Sequence, residues 1–259
     1  MTTVAADRTE GRVKGNEAGG GKLLRWTVAL LVLEPVLMYL AFFVLSGSID
    51  WPASLGQPAS VNLPLISEER GAVVLGYGAY LAYSLLLAPL AVMLYFVLGR
   101  DGEPSPLLAV AAAVGVASAL ARALGIGRWL FAMPFLAEIY LDPDSGTATR
   151  EAVEVAYVAL NEYAGGVGEL LGVSLTGAFW VGLVSVAVLR SGRFPRWLGV
   201  LGLAAGLLLL PGVLSVAGLD VGPVFAVIGG NVLLAWMVAL AAVLFLRARR
   251  SADAFRGEA

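Results

Sequence analysis

Seven polar side chains that lie in or beside apolar stretches are the candidates for chemistry in this sequence: Glu34, Arg122, Arg128, Glu138, Glu162, Glu169 and Asn231. Charged groups are costly inside a lipid bilayer and usually mark ion pairing or function there. Most of these residues fall between Ser118 and Thr176, where the chain leaves one apolar segment, crosses a carboxylate-rich connection and enters the next. Carboxylates, arginines and amides of this kind suit ion pairing, proton transfer or ligand binding.

The composition excludes several kinds of site. The chain has no His and no Cys, so it cannot by itself build a thiolate or imidazole metal site, a His-ligated haem, a catalytic Cys or a Ser-His-Asp triad. Its lysines, Lys14 and Lys22, both precede the first apolar run, which excludes a retinal-type Schiff base within the membrane. We therefore expect no catalytic residue, no metal and no cofactor, and a net charge of -2 gives no reason to expect nucleic-acid binding.

The elements that position these residues are membrane helices. The chain is 59% hydrophobic and 14% charged, whereas soluble proteins carry about 25% charged residues. About 20 apolar residues cross the hydrocarbon layer, and six stretches reach that length, at approximately 23–46, 72–98, 106–125, 166–190, 196–217 and 224–246. We predict an all-α, polytopic bundle of six transmembrane helices that occupies residues 23–246, between a flexible tail at 1–22 and a basic tail at 247–259.

Basic residues predict the orientation of the bundle. An even number of spans places both termini on one side. Thirteen of the 17 basic residues lie in the two tails, at Arg25, at Arg100 or in the loop Arg190–Arg196, all on that side. The other side has only Arg70, Arg128 and Arg150, beside many carboxylates. The positive-inside rule therefore predicts that both termini are cytoplasmic.

The connection between spans three and four, residues 126–165, is predicted to be extracytoplasmic and helical. Its first part is apolar, and we expect an interfacial or re-entrant segment with Trp129 at headgroup level. The sequence Asp142–Gly146 predicts a turn. Thr149 is the expected N-cap of an external helix that leads into span four. Within span four, the small-xxx-small pair Gly168 and Gly172 predicts close helix packing.

The polar residues of this region allow two interpretations. Arg122 and Glu169 are expected at similar depth, near the outer ends of spans three and four and within reach of Arg128, Glu138 and Glu162. They could form an ion-pair network that fixes helix register, in which removal of one partner leaves a buried charge. Alternatively they could line a polar vestibule that binds a small molecule or ion from outside.

Glu34 is expected near the middle of the membrane, beside Pro35, where no cation is plainly at its depth. Burial favours the neutral form of a carboxyl group. One interpretation is a neutral carboxyl hydrogen-bonded to a neighbour such as Asn231. The other is a carboxylate that takes part in proton-coupled transport.

Two short motifs carry a family resemblance. The run Leu189–Gly202 has a short basic loop, a proline, an aromatic residue and then Leu-Gly at the start of a small-residue helix. This run, together with Arg122 at the end of Ser118–Arg122, resembles a bacterial multipass membrane family known as domain of unknown function 4386. The resemblance implies a six-span fold over most of residues 23–246, in a bacterial inner membrane, and it brings no known activity.

Three functions remain open from the sequence. The favoured one is a structural or regulatory integral membrane protein that has a polar cluster in the outer leaflet and a membrane-protein partner. The first alternative is a small transporter or ligand-binding protein that uses Glu34, Arg122, Glu169 and Asn231. A carboxylate-based intramembrane enzyme is least favoured, because no membrane-embedded Asp pair exists and neither Ser118 nor Ser174 has an obvious base.

Overall fold

In a computed structural model of the chain, all regular structure in the described residues is helical. The structure describes residues 20–99, 105–219 and 224–250 in full, and only the helical backbone of residues 3–19, 222–223 and 251–257. The α-helices are α1 (Thr3–Ile49), α2 (Ala59–Glu68), α3 (Arg70–Leu98), α4 (Pro106–Gly127), α5 (Met133–Leu141), α6 (Thr147–Gly165), α7 (Ala178–Ser191), α8 (Arg196–Leu209) and α9 (Gly222–Gly257). Two π-helical segments, Arg128–Ala132 and Gly166–Gly177, join α4 to α5 and α6 to α7, and 3-10 turns occupy Ala53–Gly56 and Leu210–Ala217.

The prediction of six membrane spans is confirmed. The described residues contain six helices long and apolar enough to cross a bilayer: Gly20–Ile49, Arg70–Leu98, Pro106–Leu141, Thr147–Ser191, Arg196–Ala217 and Val224–Arg250. The chain is therefore an integral membrane protein. The side chains of residues 1–19 and 251–259, which belong to the two predicted tails, and that of Arg100 lie outside the described residues.

The third and fourth spans are longer than predicted. The third continues through the π-helical segment Arg128–Ala132 to Leu141, where a separate interfacial or re-entrant piece was expected. Trp129 correspondingly stacks on Tyr77 with ring centroids 5.2 Å apart and is 2% exposed, so it packs inside the protein rather than facing lipid headgroups. The predicted turn is present, but α6 begins at Thr147, with Gly146 in the N-cap position, rather than after Thr149.

The spans form a closed ring in the order α1, α3, α4, α7, α8 and α9, because α9 packs back against α1. We call the end at which α1 begins and α9 ends the terminal end, and the opposite end the distal end. The main core lies between the six spans and includes Trp180 and Trp236, whose rings meet edge to face at 6.0 Å.

A second core forms a helical cap at the distal end. The distal cap consists of α2, α5, α6 and the turn Ala53–Gly56, packed on the adjoining ends of α1 and α3. Its polar centre is Asn62, whose Nδ2 donates to the Ser54 carbonyl and to the Tyr157 hydroxyl, each at 2.6 Å. These bonds hold α2 against the turn Ala53–Gly56 and against α6 of the fourth span.

Candidate functional site

The centre of the site is the Arg122 guanidinium, which α4 carries into the bundle interior, where the residue is 3% exposed. Its Nε donates to the Gly172 carbonyl at 3.3 Å and its Nη1 donates to the Tyr83 hydroxyl at 3.1 Å. Its Nη2 has no hydrogen-bond partner among the described residues. One side chain thus links three spans through charge-assisted hydrogen bonds, which are stronger than neutral ones.

Glycines of the π-helical segment Gly166–Gly177 make room for Arg122. A Cβ atom at Gly177 would lie 2.5 Å from Nη2 of Arg122, and one at Gly172 would lie 2.9 Å from its Cγ. The Gly172 carbonyl also accepts hydrogen bonds from the Ser118 hydroxyl at 2.6 Å and the Thr176 hydroxyl at 3.3 Å. Since π-helical turns often occur at functional sites, the local widening of the fourth span is part of the site.

Glu34 approaches the same site from α1, which corrects the expectation that no cation lies at its depth. The residue is 1% exposed, and its carboxyl group interacts electrostatically with Arg122 and Tyr83. This interaction places the Glu34 carboxyl group and the Arg122 guanidinium in the same region of the bundle interior. In the part of the chain that the structure describes, no ion pair within 4 Å joins them, and Oε1 of Glu34 has no hydrogen-bond partner.

Glu34, Tyr83, Ser118, Arg122 and the Gly172 carbonyl together form what we call the buried cluster. It offers one unpartnered acceptor, Oε1 of Glu34, and one unpartnered donor, Nη2 of Arg122. Most buried polar atoms have a hydrogen-bond partner, and an exception in a native structure points to strain, to catalysis or to a bound water or ion. The two atoms could share a water molecule or a small polar ligand, or pair directly after a small helix movement.

A second charged pair lies nearer the distal end. Nη2 of Arg128 is 3.4 Å from Oε1 of Glu169, and Nη1 of Arg128 donates to the Gly125 carbonyl at 3.2 Å. Arg128 is buried against Trp129, whereas 61% of the Glu169 side chain is exposed. The structure thus brings Arg128 and Glu169 together as expected, but Glu169 pairs with Arg128 rather than with Arg122.

The remaining candidates lie outside the buried cluster. Glu138 pairs with Arg70 at 2.9 Å, and both side chains are more than half exposed. The Glu162 side chain is exposed and makes no hydrogen bond or ion pair with other described residues. Asn231 accepts a hydrogen bond from the Tyr39 hydroxyl at 2.8 Å and donates to the Val227 carbonyl at 2.8 Å. Asn231 was named as one example of a hydrogen-bond partner for Glu34, and the structure has no hydrogen bond between the two side chains: the amide binds Tyr39 and Val227 instead.

Sequence reasoning missed Tyr83. The signal for it was present, because Tyr77, Tyr80 and Tyr83 recur every three residues and so follow one side of α3. Tyr77 stacks on Trp129, and Tyr80 and Tyr83 lie 6.0 Å apart. This aromatic stripe runs from the distal cap to the buried cluster.

Comparison with known proteins adds a family match. Residues 27–249 match the model described as Domain of unknown function (DUF4386). No curated protein and no solved structure shows significant similarity to the chain. The matched range contains every residue of the buried cluster.

Proposed function

The chain belongs to the DUF4386 family, and from that premise we propose that it is a structural or regulatory membrane protein whose helices the buried cluster holds in register. The family description names no activity, so the proposal rests on geometry. The protein has six membrane spans, and polar side chains from several of them meet inside the ring.

The observation that carries the proposal is the set of partners of Arg122. Its guanidinium bonds to α3 and to the fourth span and interacts with Glu34 of α1. A bilayer supplies little hydrophobic force between helices, so interhelical hydrogen bonds and close packing determine which helices associate. Arg122 lies on the third span and interacts with groups on the first, second and fourth spans. Such a cation suits a protein whose function depends on the arrangement of its helices, whether that arrangement is fixed or switchable.

We propose further that both termini are cytoplasmic in a bacterial inner membrane and that the distal cap faces outside. Thirteen of the 17 basic residues lie on the side of the termini, in agreement with the positive-inside rule. The cap carries exposed carboxylates, among them Glu138, Glu151 and Glu154, and gives a partner protein an acidic surface. Labelling of single introduced cysteines from either side of the membrane tests the orientation.

Two substitutions of Glu34 test the structural function. Glu34→Gln keeps the shape and hydrogen-bonding capacity of the side chain, so we expect nearly normal amounts of folded protein. Glu34→Ala removes the group from a site 1% exposed and should lower the folded fraction, because it leaves a cavity beside an incompletely partnered arginine. The readout is the monodisperse fraction and thermal unfolding midpoint of the detergent-solubilised protein. Equal losses for both variants would contradict a hydrogen-bonding role of Glu34.

A second function, small-molecule or proton-coupled transport, is favoured by one specific observation. Oε1 of Glu34 and Nη2 of Arg122 are both buried and unpartnered. Proton flux into proteoliposomes, followed with a trapped pH-sensitive dye, distinguishes the two functions. Transport requires a flux that Glu34→Gln abolishes and Glu138→Gln, which alters an exposed carboxylate, preserves. No flux above that of protein-free liposomes supports the structural function.

A further inference from the structure

A groove at the terminal end lies apart from the buried cluster. It occupies about 340 Å³ between the start of α1, the end of α3, the loop before α8 and the end of α9. Apolar side chains form most of its wall: Leu23, Leu24, Phe96, Val97 and Leu244. Arg193, Phe194 and Arg247 also line it, so the groove combines an apolar wall with two guanidinium groups.

The loop geometry fixes Arg193 at this groove. Helix α7 ends at Gly192, which adopts a positive φ of 65° and lets the chain turn back. Nη2 of Arg193 then donates to the carbonyls of Leu98 and Gly99, the latter at 3.0 Å, and so satisfies the end of α3. Its Nε is buried and has no partner in the described part of the chain.

The Phe194 ring contacts both guanidinium groups and so keeps them close to each other. The Arg247 guanidinium carbon lies 4.9 Å from the centre of the Phe194 ring, and that of Arg193 lies 5.9 Å from it. Cation–π contacts of this kind restrict where an arginine side chain points. The arrangement therefore presents two cations beside an apolar groove.

The chemistry of the groove indicates its ligand. Arginine forks match the geometry of phosphate oxygens, and the apolar wall suits an acyl chain. The ends of the spans are where lipid headgroups lie, and basic pockets between membrane helices bind anionic headgroups there. Lys22, Arg25 and Arg190 add positive charge at the same end. We propose that this groove binds one anionic phospholipid, with its phosphate at Arg193 and Arg247 and an acyl chain along Leu23 and Phe96. This site is independent of the function proposed for the buried cluster.

Native mass spectrometry of the detergent-purified protein tests the site. The probes are phosphatidylglycerol, phosphatidylcholine as a zwitterionic lipid, and glycerol phosphate as a free headgroup. We expect tighter binding of phosphatidylglycerol than of phosphatidylcholine. Arg193→Gln should weaken phosphatidylglycerol binding about tenfold, the effect of one lost charge-assisted hydrogen bond. Arg196→Gln is the matched control, since it removes an exposed arginine that lies three residues further along, at the start of α8 and outside the groove, and it should leave binding unchanged.

Three results would overturn the proposal. Equal weakening by Arg193→Gln and Arg196→Gln indicates diffuse attraction rather than a site. Equal affinity for both lipids removes the charge selectivity. Glycerol phosphate that binds as tightly as phosphatidylglycerol assigns the groove to a free phosphate compound. If Arg193→Gln fails to fold, Leu23→Trp fills the groove while keeping both arginines, and unchanged lipid binding in that variant also overturns the proposal.

Discussion

Replacement of Arg122 is expected to destabilise the protein far more than replacement of an exposed arginine. Arg122→Met keeps a long side chain but removes the hydrogen bonds to Tyr83 and Gly172. A hydrogen bond to a charged group contributes about 1.5–3 kcal/mol. Because two such bonds are lost, we expect a loss of about 3 kcal/mol, the lower end for two bonds, since the Gly172 carbonyl keeps Ser118 and Thr176 as donors. The Tyr83 hydroxyl then loses its bond to Arg122.

Arg70→Met is the matched control. It breaks the Arg70–Glu138 pair, whose side chains are 62% and 61% exposed, and exposed ion pairs contribute only about 0–1 kcal/mol. Unfolding in increasing sodium dodecyl sulfate, followed by the fluorescence of the six tryptophans, gives both free energies in one assay. Added salt should reduce the effect of Arg70→Met, because salt screens exposed charges more than buried ones.

The double variant Glu34→Gln with Arg122→Met extends the test. If the Arg122 charge stabilises the Glu34 carboxylate, Arg122→Met leaves that carboxylate without a cation. The neutral amide in Glu34→Gln needs no cation, so the double variant should be more stable than Arg122→Met alone. Our reasoning about the buried cluster would be refuted if Arg122→Met lost less than about 1 kcal/mol, the value typical of an exposed pair. Additive effects of the two substitutions would show that Glu34 and Arg122 are not coupled.

Two further predictions follow from the packing and the orientation. Gly125→Ala should destabilise the protein by about 1–3 kcal/mol, because its Cβ would lie 2.6 Å from Gly168 Cα, whereas Gly182→Ala, with open space around its Cβ, should be neutral or stabilising in the same detergent unfolding assay. A cysteine at Ser60, in the distal cap, should react with an impermeant maleimide added to intact cells, and one at Arg196 only after permeabilisation; the reverse pattern would invert the proposed orientation.

The six spans could be predicted from the sequence, because runs of about 20 apolar residues have few alternatives to crossing a bilayer. The ends of the third and fourth spans could not. Apolar length alone placed the end of the third span near residue 125, but the helix continues to Leu141. The continuation depends on tertiary contacts, since Gly125 packs against Gly168 and Trp129 packs against Tyr77.

The candidate site could be predicted only in part. Arg128 and Glu169 flank one connection in sequence, so their pairing followed from the order of the spans. The proximity of Glu34 and Arg122 depends on two facts that no local pattern contains: which spans are neighbours in the ring, and how each helix is shifted along its axis. The sequence predicted carboxylate partners for Arg122, whereas in the structure its Nη1 donates a hydrogen bond to the Tyr83 hydroxyl.

The fourth helix is long enough to connect the distal cap to the buried cluster, as the proposed regulatory function requires. Thr147–Ser191 has 45 residues, of which 19 in α6 and 14 in α7 are α-helical. At 1.5 Å per residue these alone are roughly 50 Å long, well beyond the hydrocarbon layer of about 30 Å. One continuous helix therefore joins the distal cap to the membrane interior, and its π-helical segment contains Gly172, the carbonyl that holds Arg122. Conversion of that segment to a narrower α-helix would shift the register of Gly172 against α4 and break the hydrogen bond between its carbonyl and Arg122. In the proposed regulatory function, the partner bound at the distal cap acts on the buried cluster through the backbone of this single helix.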